Sequence, residues 1–296
     1  MTSIPFAADM HVKPEVFPFF DAQTSTFSYV VKDPASDACA VIDSVLDIDY
    51  AAGRTAFEGA DRIIDLVRDR GWRTEWIIET HVHADHLSAA PYIQERLGGK
   101  LGIGNRITIV QETFGKIFNE GPAFQRDGSQ FDRLFADGDS YQIGTMTAHA
   151  MHTPGHTPAC MTHVMGNAAF VGDTLFMPDG GSARADFPGG DARTLFQSMR
   201  RVLALADETR LFMCHDYPEG RPVAWETTVR AERKSNIHVN DTITEDAFVL
   251  MREKRDKTLG MPRLILPSLQ VNMRAGHMPP AGADGKVFLK LPLNVL

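Results

Sequence analysis

ETHVHADHLSAA, residues 79–90, sets three histidines and an aspartate, His81, His83, Asp85 and His86, into six consecutive positions. The segment follows an apolar run, Trp76-Ile77-Ile78, and precedes a helix-like run over 87–97. Four groups able to donate N or O, at alternating and adjacent positions just past a buried strand, point to a metal site. The open questions are which metal it holds, how many, and for what reaction.

Three further strand ends carry groups of the same kind. His156 lies in HTPGHTPAC after a strand read at 145–152. Asp173 lies in FVGDTLF after 168–172, and His215 in FMCHDY after 210–214. Alone, each histidine reads as an ordinary polar residue and the Gly-Asp pair as a turn. Together they supply what two neighbouring metals need beyond one loop, at ends where loops sit on a rigid scaffold. All seven side chains suit zinc or iron(II). His11, His149, His163, His238 and His277 have no comparable context, while His152 is a candidate for orienting a ligand.

Along the chain, VFPFFD, TFSYVV and ACAVID read as an antiparallel meander. A helix follows at 59–71, with Ile63, Ile64 and Val67 at helical spacing and Gly71 at its end. After strand 74–79 and the histidine loop come a helix at 87–97, a strand at 100–103 and a helix near 105–118. Residues 119–140, rich in Gly and Asp, read as loop. Strands at 145–152, 159–165 and 168–172, a loop at 178–190, a helix at 191–205 and strand 210–215 complete a second half. Helices are expected near 223–235 and 243–257, then a Pro-containing tail with little periodicity from 260. This succession suggests an α+β protein in which two sheets pack together between outer helices, a four-layer αββα sandwich. The expected layout is a single domain, with a core over about 15–235 and a helical, Pro-rich extension over 236–296.

A net charge of −8 argues against a nucleic-acid partner, which needs a basic surface, but leaves room for a local basic pocket. Three cysteines, Cys39, Cys160 and Cys214, give no disulfide framework and fit a reducing compartment. The N-terminus shows no basic start followed by an apolar core, and no stretch approaches the ~20 apolar residues of a membrane span. A cytoplasmic protein without a membrane partner is the expectation.

The set T-H-x-H-x-D-H at 80–86, P-G-H-T at 154–157, G-D-T at 172–174 and H-D at 215–216 resembles the metallo-β-lactamase superfamily. The resemblance implies the αββα fold. It also implies a first metal on His81, His83 and His156, a second on Asp85, His86 and His215, and Asp173 bridging. ARADFPGGD at 183–191, CHDYPEG and NMRAGHMPP are similar to the persulfide dioxygenase branch. That branch implies one iron(II) on His81, His156 and Asp173, a two-His, one-carboxylate triad with open positions for substrate and O₂. His83, Asp85, His86 and His215 would then orient ligands and waters. TLFMPDGGSA, between Asp173 and Arg184, is longer than in the mitochondrial-type members and points to a bacterial subgroup.

The reading that follows is an iron(II) persulfide dioxygenase acting on glutathione persulfide or a related small persulfide with O₂. Arg184 is the expected substrate-carboxylate contact or, paired with Asp186, a loop-fixing residue. Tyr217 is expected to hydrogen-bond near the open positions or simply to pack its ring. Asp85 is the further catalytic candidate. Two alternatives stand beside this reading. One is a glyoxalase-II-like thiolester hydrolase with zinc or a dinuclear site. The other is a non-catalytic metal-binding regulator. VFLKLPLNVL at the C-terminus suits an arm of a homodimer.

Overall fold

The computed structural model describes residue 4 and residues 6–295. Its layers follow from period-two alternation in the strands. In strands Thr26–Lys32 and Ala38–Ile42, Tyr29, Val31, Ala40 and Ile42 face one apolar cluster, while Val30, Cys39 and Val41 face another. The first cluster is completed by Ala148, Met161, Phe170 and Phe212, which come from a second sheet. The two sheets therefore pack face to face. The other cluster is covered by helices Glu58–Asp69, Ala90–Leu97 and Ile107–Ile117. On the outer face of the second sheet, Met151, Val164 and Leu211 pack beneath helices Ala192–Val202 and Glu245–Asp256. The result is the expected αββα sandwich.

The first sheet runs Glu15–Asp21, Thr26–Lys32, Ala38–Ile42, Arg73–Ile78, Lys100–Gly104, Arg133–Phe135, antiparallel at first and parallel from Ala38–Ile42 onward. The second runs Ser140–Ile143, Met146–His152, Met161–Met165, Ala168–Phe170, Arg210–Phe212, Glu226–Thr228, with one parallel pair in its centre. Asp43, the 79–86 loop, Asp173 and His215 all follow the C-terminal ends of strands. Backbone bonds join these ends across the sandwich. Met161 N–H donates to the Thr80 carbonyl (2.9 Å) and Phe27 N–H to that of Cys214 (2.7 Å).

Several sequence-based expectations need correction. The run at 87–97 is helical only from Ala90, because Leu87–Ser88 is drawn into a short strand against Val45–Asp49. The supposed loop at 119–140 holds the edge strand Arg133–Phe135, too short to show a period. The helix expected from 223 begins at Val229, after strand Glu226–Thr228. The tail from 260 contains helix Ile265–Asn272, whose Leu269 and Val271 enter the core. Among the described residues no helix is long and apolar enough to cross a membrane.

Candidate metal centre

Two glycines explain how the site loops reach their positions. Gly172, before Asp173, has φ +52°, and a Cβ there would meet Thr80 Oγ1 at 2.7 Å. Gly155, before His156, has φ +134°, and a Cβ there would lie 2.3 Å from the backbone of Leu195. Side chains are excluded at both positions by conformation and by space. The glycines let the Asp173 turn press against the histidine loop and the His156 turn against helix Ala192–Val202.

His81, His156 and Asp173 converge. Asp173 Oδ2 lies 3.8 Å from His81 Nε2 and 3.5 Å from His156 Nε2. Ligand atoms of the three all fall within 4.8 Å of one another. His81 Nε2 is buried and has no hydrogen-bond partner, which is costly for a polar atom unless something else satisfies it. His156 donates from Nδ1 to the Arg184 carbonyl (2.8 Å), which leaves its Nε2 lone pair facing Asp173. Two imidazole nitrogens and a carboxylate, with the His81 nitrogen buried and orphaned, fit a borderline divalent metal.

Asp43 governs the orientation of the histidine loop. It follows strand Ala38–Ile42 in the left-handed region, at φ +50°. Its Oδ1 accepts from the Thr80 N–H (2.7 Å) and from His83 Nε2 (3.0 Å). Its Oδ2 accepts from the Thr80 hydroxyl (2.8 Å). That hydroxyl lies 3.1 Å from His81 Nδ1, so it can accept the Nδ1 proton and leave His81 Nε2 as a lone pair. One carboxylate thus fixes the tautomer of His81 and anchors His83 through its Nε2, leaving the His83 Nδ1 buried without a partner. Glu79 Oε2 also lies 3.4 Å from His83 Nε2. Among the described residues three other groups come within ligand distance, and every one includes His83, whose Nε2 is bonded to Asp43 and whose buried Nδ1 has no partner.

Electrostatics follow this division. Burial, with His83 and His156 nearby, holds the His81 pKa well below the ordinary imidazole value, so the ring is neutral. For His83 burial acts in the same direction, but Asp43 outweighs it and the pKa is raised well above the ordinary value. Asp43 is correspondingly lowered: burial opposes this, and the His83 charge and the Thr80 bonds prevail.

The remaining candidates form a second arc. Asp85 Oδ2 lies 3.4 Å from His215 Nε2 and 3.4 Å from His86 Nδ1. His215 Nε2 lies 3.3 Å from Asp173 Oδ1. The Nε2 atoms of His86 and His215 are buried without partners. The Tyr217 ring stacks on His215 and meets Phe176 edge-on, 5.9 Å between centroids in each case. Arg184 is paired with Asp186 in its own loop. Its fork is spent on Asp186 (2.6 and 2.7 Å) and on the Gly260 carbonyl (2.7 Å). His152 donates from Nε2 to the Pro158 carbonyl (2.8 Å).

Sequence reasoning missed two residues. Asp43 reads as an ordinary turn residue after VI. Asn272, buried in the tail helix, donates to the carbonyls of His83 (2.9 Å) and His86 (2.8 Å) and accepts from Ser88 N–H (2.8 Å). It clamps both ends of the ligand loop. The resemblance of NMRAG was the signal that this segment matters. Asp216, after His215, is gripped by Arg221 (2.7 Å twice), which also holds Asp179.

A model of the metallo-beta-lactamase superfamily matches residues 22–215, and the chain belongs to that superfamily. It is 55% identical over 289 residues to a probable metallo-hydrolase of Burkholderia pseudomallei, covering 94% of this chain and 98% of that one. It is 51% identical to a beta-lactamase hydrolase-like protein of Agrobacterium fabrum, covering 96% of this chain but only 65% of that one. A mitochondrial persulfide dioxygenase ETHE1 of Bos taurus is 30% identical, with 88% of each chain covered. Among solved structures, ETHE1 from Myxococcus xanthus superposes with a TM-score of 0.70 at 26% identity, over 89% of this chain and all of that one.

Proposed function

We propose that the chain is an iron(II)-dependent persulfide dioxygenase that converts a small thiol persulfide, O₂ and water to sulfite and the free thiol. The observation that carries this reading is the convergence of His81, His156 and Asp173, the one ligand-distance group among the described residues that does not include His83. His83 is held through Nε2 by Asp43, with its Nδ1 buried and unpartnered. Two imidazoles and one carboxylate are the set that holds iron(II) with positions left for substrate sulfur and O₂. In the balance both oxygens of O₂ and one from water end on the outer sulfur, the S–S bond breaks, one proton goes to the thiol sulfur and two leave with the sulfite.

The chain's own residues hold and shield this chemistry. Thr80 and the Arg184 carbonyl hold the Nδ1 sides of His81 and His156, which leaves the Nε2 atoms toward Asp173. A cavity of about 830 Å³ reaches His156, Asp173 and Asp85, and Phe176 and Phe187 give it an apolar lining beside them. That volume suits a peptide-sized thiol. Asp85, beside His215 and His86, is placed to accept a proton from water or a persulfide S–H.

A second reading, a two-metal hydrolase of thiolesters, is favoured by the orphaned Nε2 atoms of His86 and His215 beside Asp85. Metal counting separates the two. Protein purified without oxygen should hold a single iron, and added zinc should not bring thiolester hydrolysis. Two zinc ions per chain with hydrolysis of S-lactoylglutathione would replace the first reading by the second.

A further inference from the structure

We infer that Arg221 is a positioning residue for this site: it ties the turn that follows Asp173 to the turn that follows His215, and so fixes the aromatic wall, Phe176 and Tyr217, beside the metal-binding groups. The tie stands independently of the function proposed above; its effect on turnover rests on that reading.

Each turn carries one carboxylate for the tie. The chain after Asp173 closes on itself over 176–181: Phe176 N–H donates to the Gly181 carbonyl (3.1 Å) and Gly180 N–H to that of Met177 (2.7 Å). Gly181 closes this turn at φ +79°, where a Cβ would run into the His238 ring. Asp179 is thereby set, exposed, on the same turn that carries Phe176. The chain after His215 carries Asp216, which is buried and accepts from Ala224 N–H (2.7 Å). Arg221 lies between the two carboxylates. Its Nε and Nη2 donate to Asp179 (2.6 and 2.7 Å), and its Nη1 and Nη2 donate to Asp216 (2.7 Å each). A planar guanidinium offers two forked edges and can bridge two carboxylates in fixed geometry; a lysine ammonium is a point charge and cannot.

The place of the tie gives its role. Among the described residues Arg221 makes the only ion pairs that join these two turns. Otherwise they meet through the Phe176 ring, edge-on to His215 (6.1 Å) and to Tyr217 (5.9 Å). Phe176, Asp179, His215 and Tyr217 all line the cavity. An exposed ion pair usually contributes little, but Asp216 is buried beside His215 and its charge has to be matched, which commits Arg221 to this place. The far side of the Asp179 turn is held separately, by Ile237 N–H on the Pro178 carbonyl (2.9 Å) and by Asn236 on the Gly181 carbonyl (3.0 Å). Arg221 therefore governs the side that faces the cavity, where Phe176 and Tyr217 limit its width and the entry of water. None of its bonds reaches His81, His156 or Asp173. It acts on how substrate is held and leaves metal binding alone.

Two variants separate this role from plain support of the fold. Arg221→Ala removes the whole tie, whereas Asp179→Ala, at an exposed position, cuts it and leaves Arg221 on Asp216. Hydrogen–deuterium exchange on the full chain reads the tie without any substrate. Over residues 174–183 both single variants and the double variant should exchange equally, about tenfold faster than the native protein, because each cut opens the same link. Native exchange there in Arg221→Ala, or a double variant faster than either single one, would overturn the tie. If Arg221→Ala does not fold, Arg221→Lys replaces it, since it keeps a charge for Asp216 without the double fork. In iron-loaded protein both cuts should raise KM for glutathione persulfide about tenfold with kcat and iron content unchanged. Loss of kcat and iron together at the native KM would overturn positioning in favour of plain support. A native protein without O₂ uptake would overturn the proposed function instead, and exchange would still decide the tie.

Discussion

Asp43 concentrates the chemistry of the site in one side chain. It anchors His83 through Nε2 and, through Thr80, sets the tautomer of His81. Asn tolerates the positive φ found here, so Asp43→Asn tests the charge with little backbone cost. The expected outcome is a loosened ligand loop and a metal content below that of the native protein, read by elemental analysis. Unchanged content would show that Asp43 does not order the ligands. Asp173→Ala removes the carboxylate shared by both ligand arcs and should abolish metal binding while the fold is kept, as followed by circular dichroism. The seven ligand-type residues were legible in the sequence because ligand spacing is a strong local pattern. Asp43 was not, because a single aspartate after a strand looks like any turn residue until the next parallel strand brings Thr80 and His83 against it.

Helix Ile265–Asn272 shows why an element that supports the site escaped a reading by periodicity. All of its residues but Leu266 are buried, so it has no polar face to set a period of 3.6, and Pro267 stands in its first turn. It places Asn272 beneath the ligand loop. Asn272→Ala removes three buried hydrogen bonds and leaves their partners unsatisfied. It should cost about 2–4 kcal/mol in denaturant unfolding and weaken metal binding in a competition titration. Full stability with unchanged metal affinity would contradict the clamp. By contrast, strands Thr26–Lys32 and Ala38–Ile42, buried on both faces, were legible as short apolar β-rich runs between turns, and helix Glu58–Asp69 was legible because it buries one face and exposes the other. Short strands such as Arg133–Phe135 exist only through their neighbours.

At the scale of the whole molecule, the interface between the sheets carries a polar pair that makes stability depend on pH. His163 lies buried between them, with its Nδ1 2.8 Å from the Tyr141 hydroxyl. Burial pushes its pKa down to about 4. Unfolded, the same imidazole titrates near ~6.5. Between those values the unfolded chain binds a proton that the folded chain does not, so stability falls as pH drops from ~6.5 toward 4, by on the order of 3 kcal/mol. His163→Gln keeps a partner for Tyr141 but cannot take the charge, so the metal-free variant should lose less stability than the metal-free native protein over that range. Equal slopes would contradict the assignment.

The same packing brings ligands from both sheets to one end of the sandwich, where the cavity opens. The central claim is that this end performs oxygen chemistry on a persulfide. Iron-loaded protein in an oxygen electrode with glutathione persulfide tests it most directly. The account predicts O₂ uptake matched mole for mole by sulfite, and no uptake from Asp173→Ala. An iron-loaded native protein that consumes no O₂ while hydrolysing S-lactoylglutathione would contradict it.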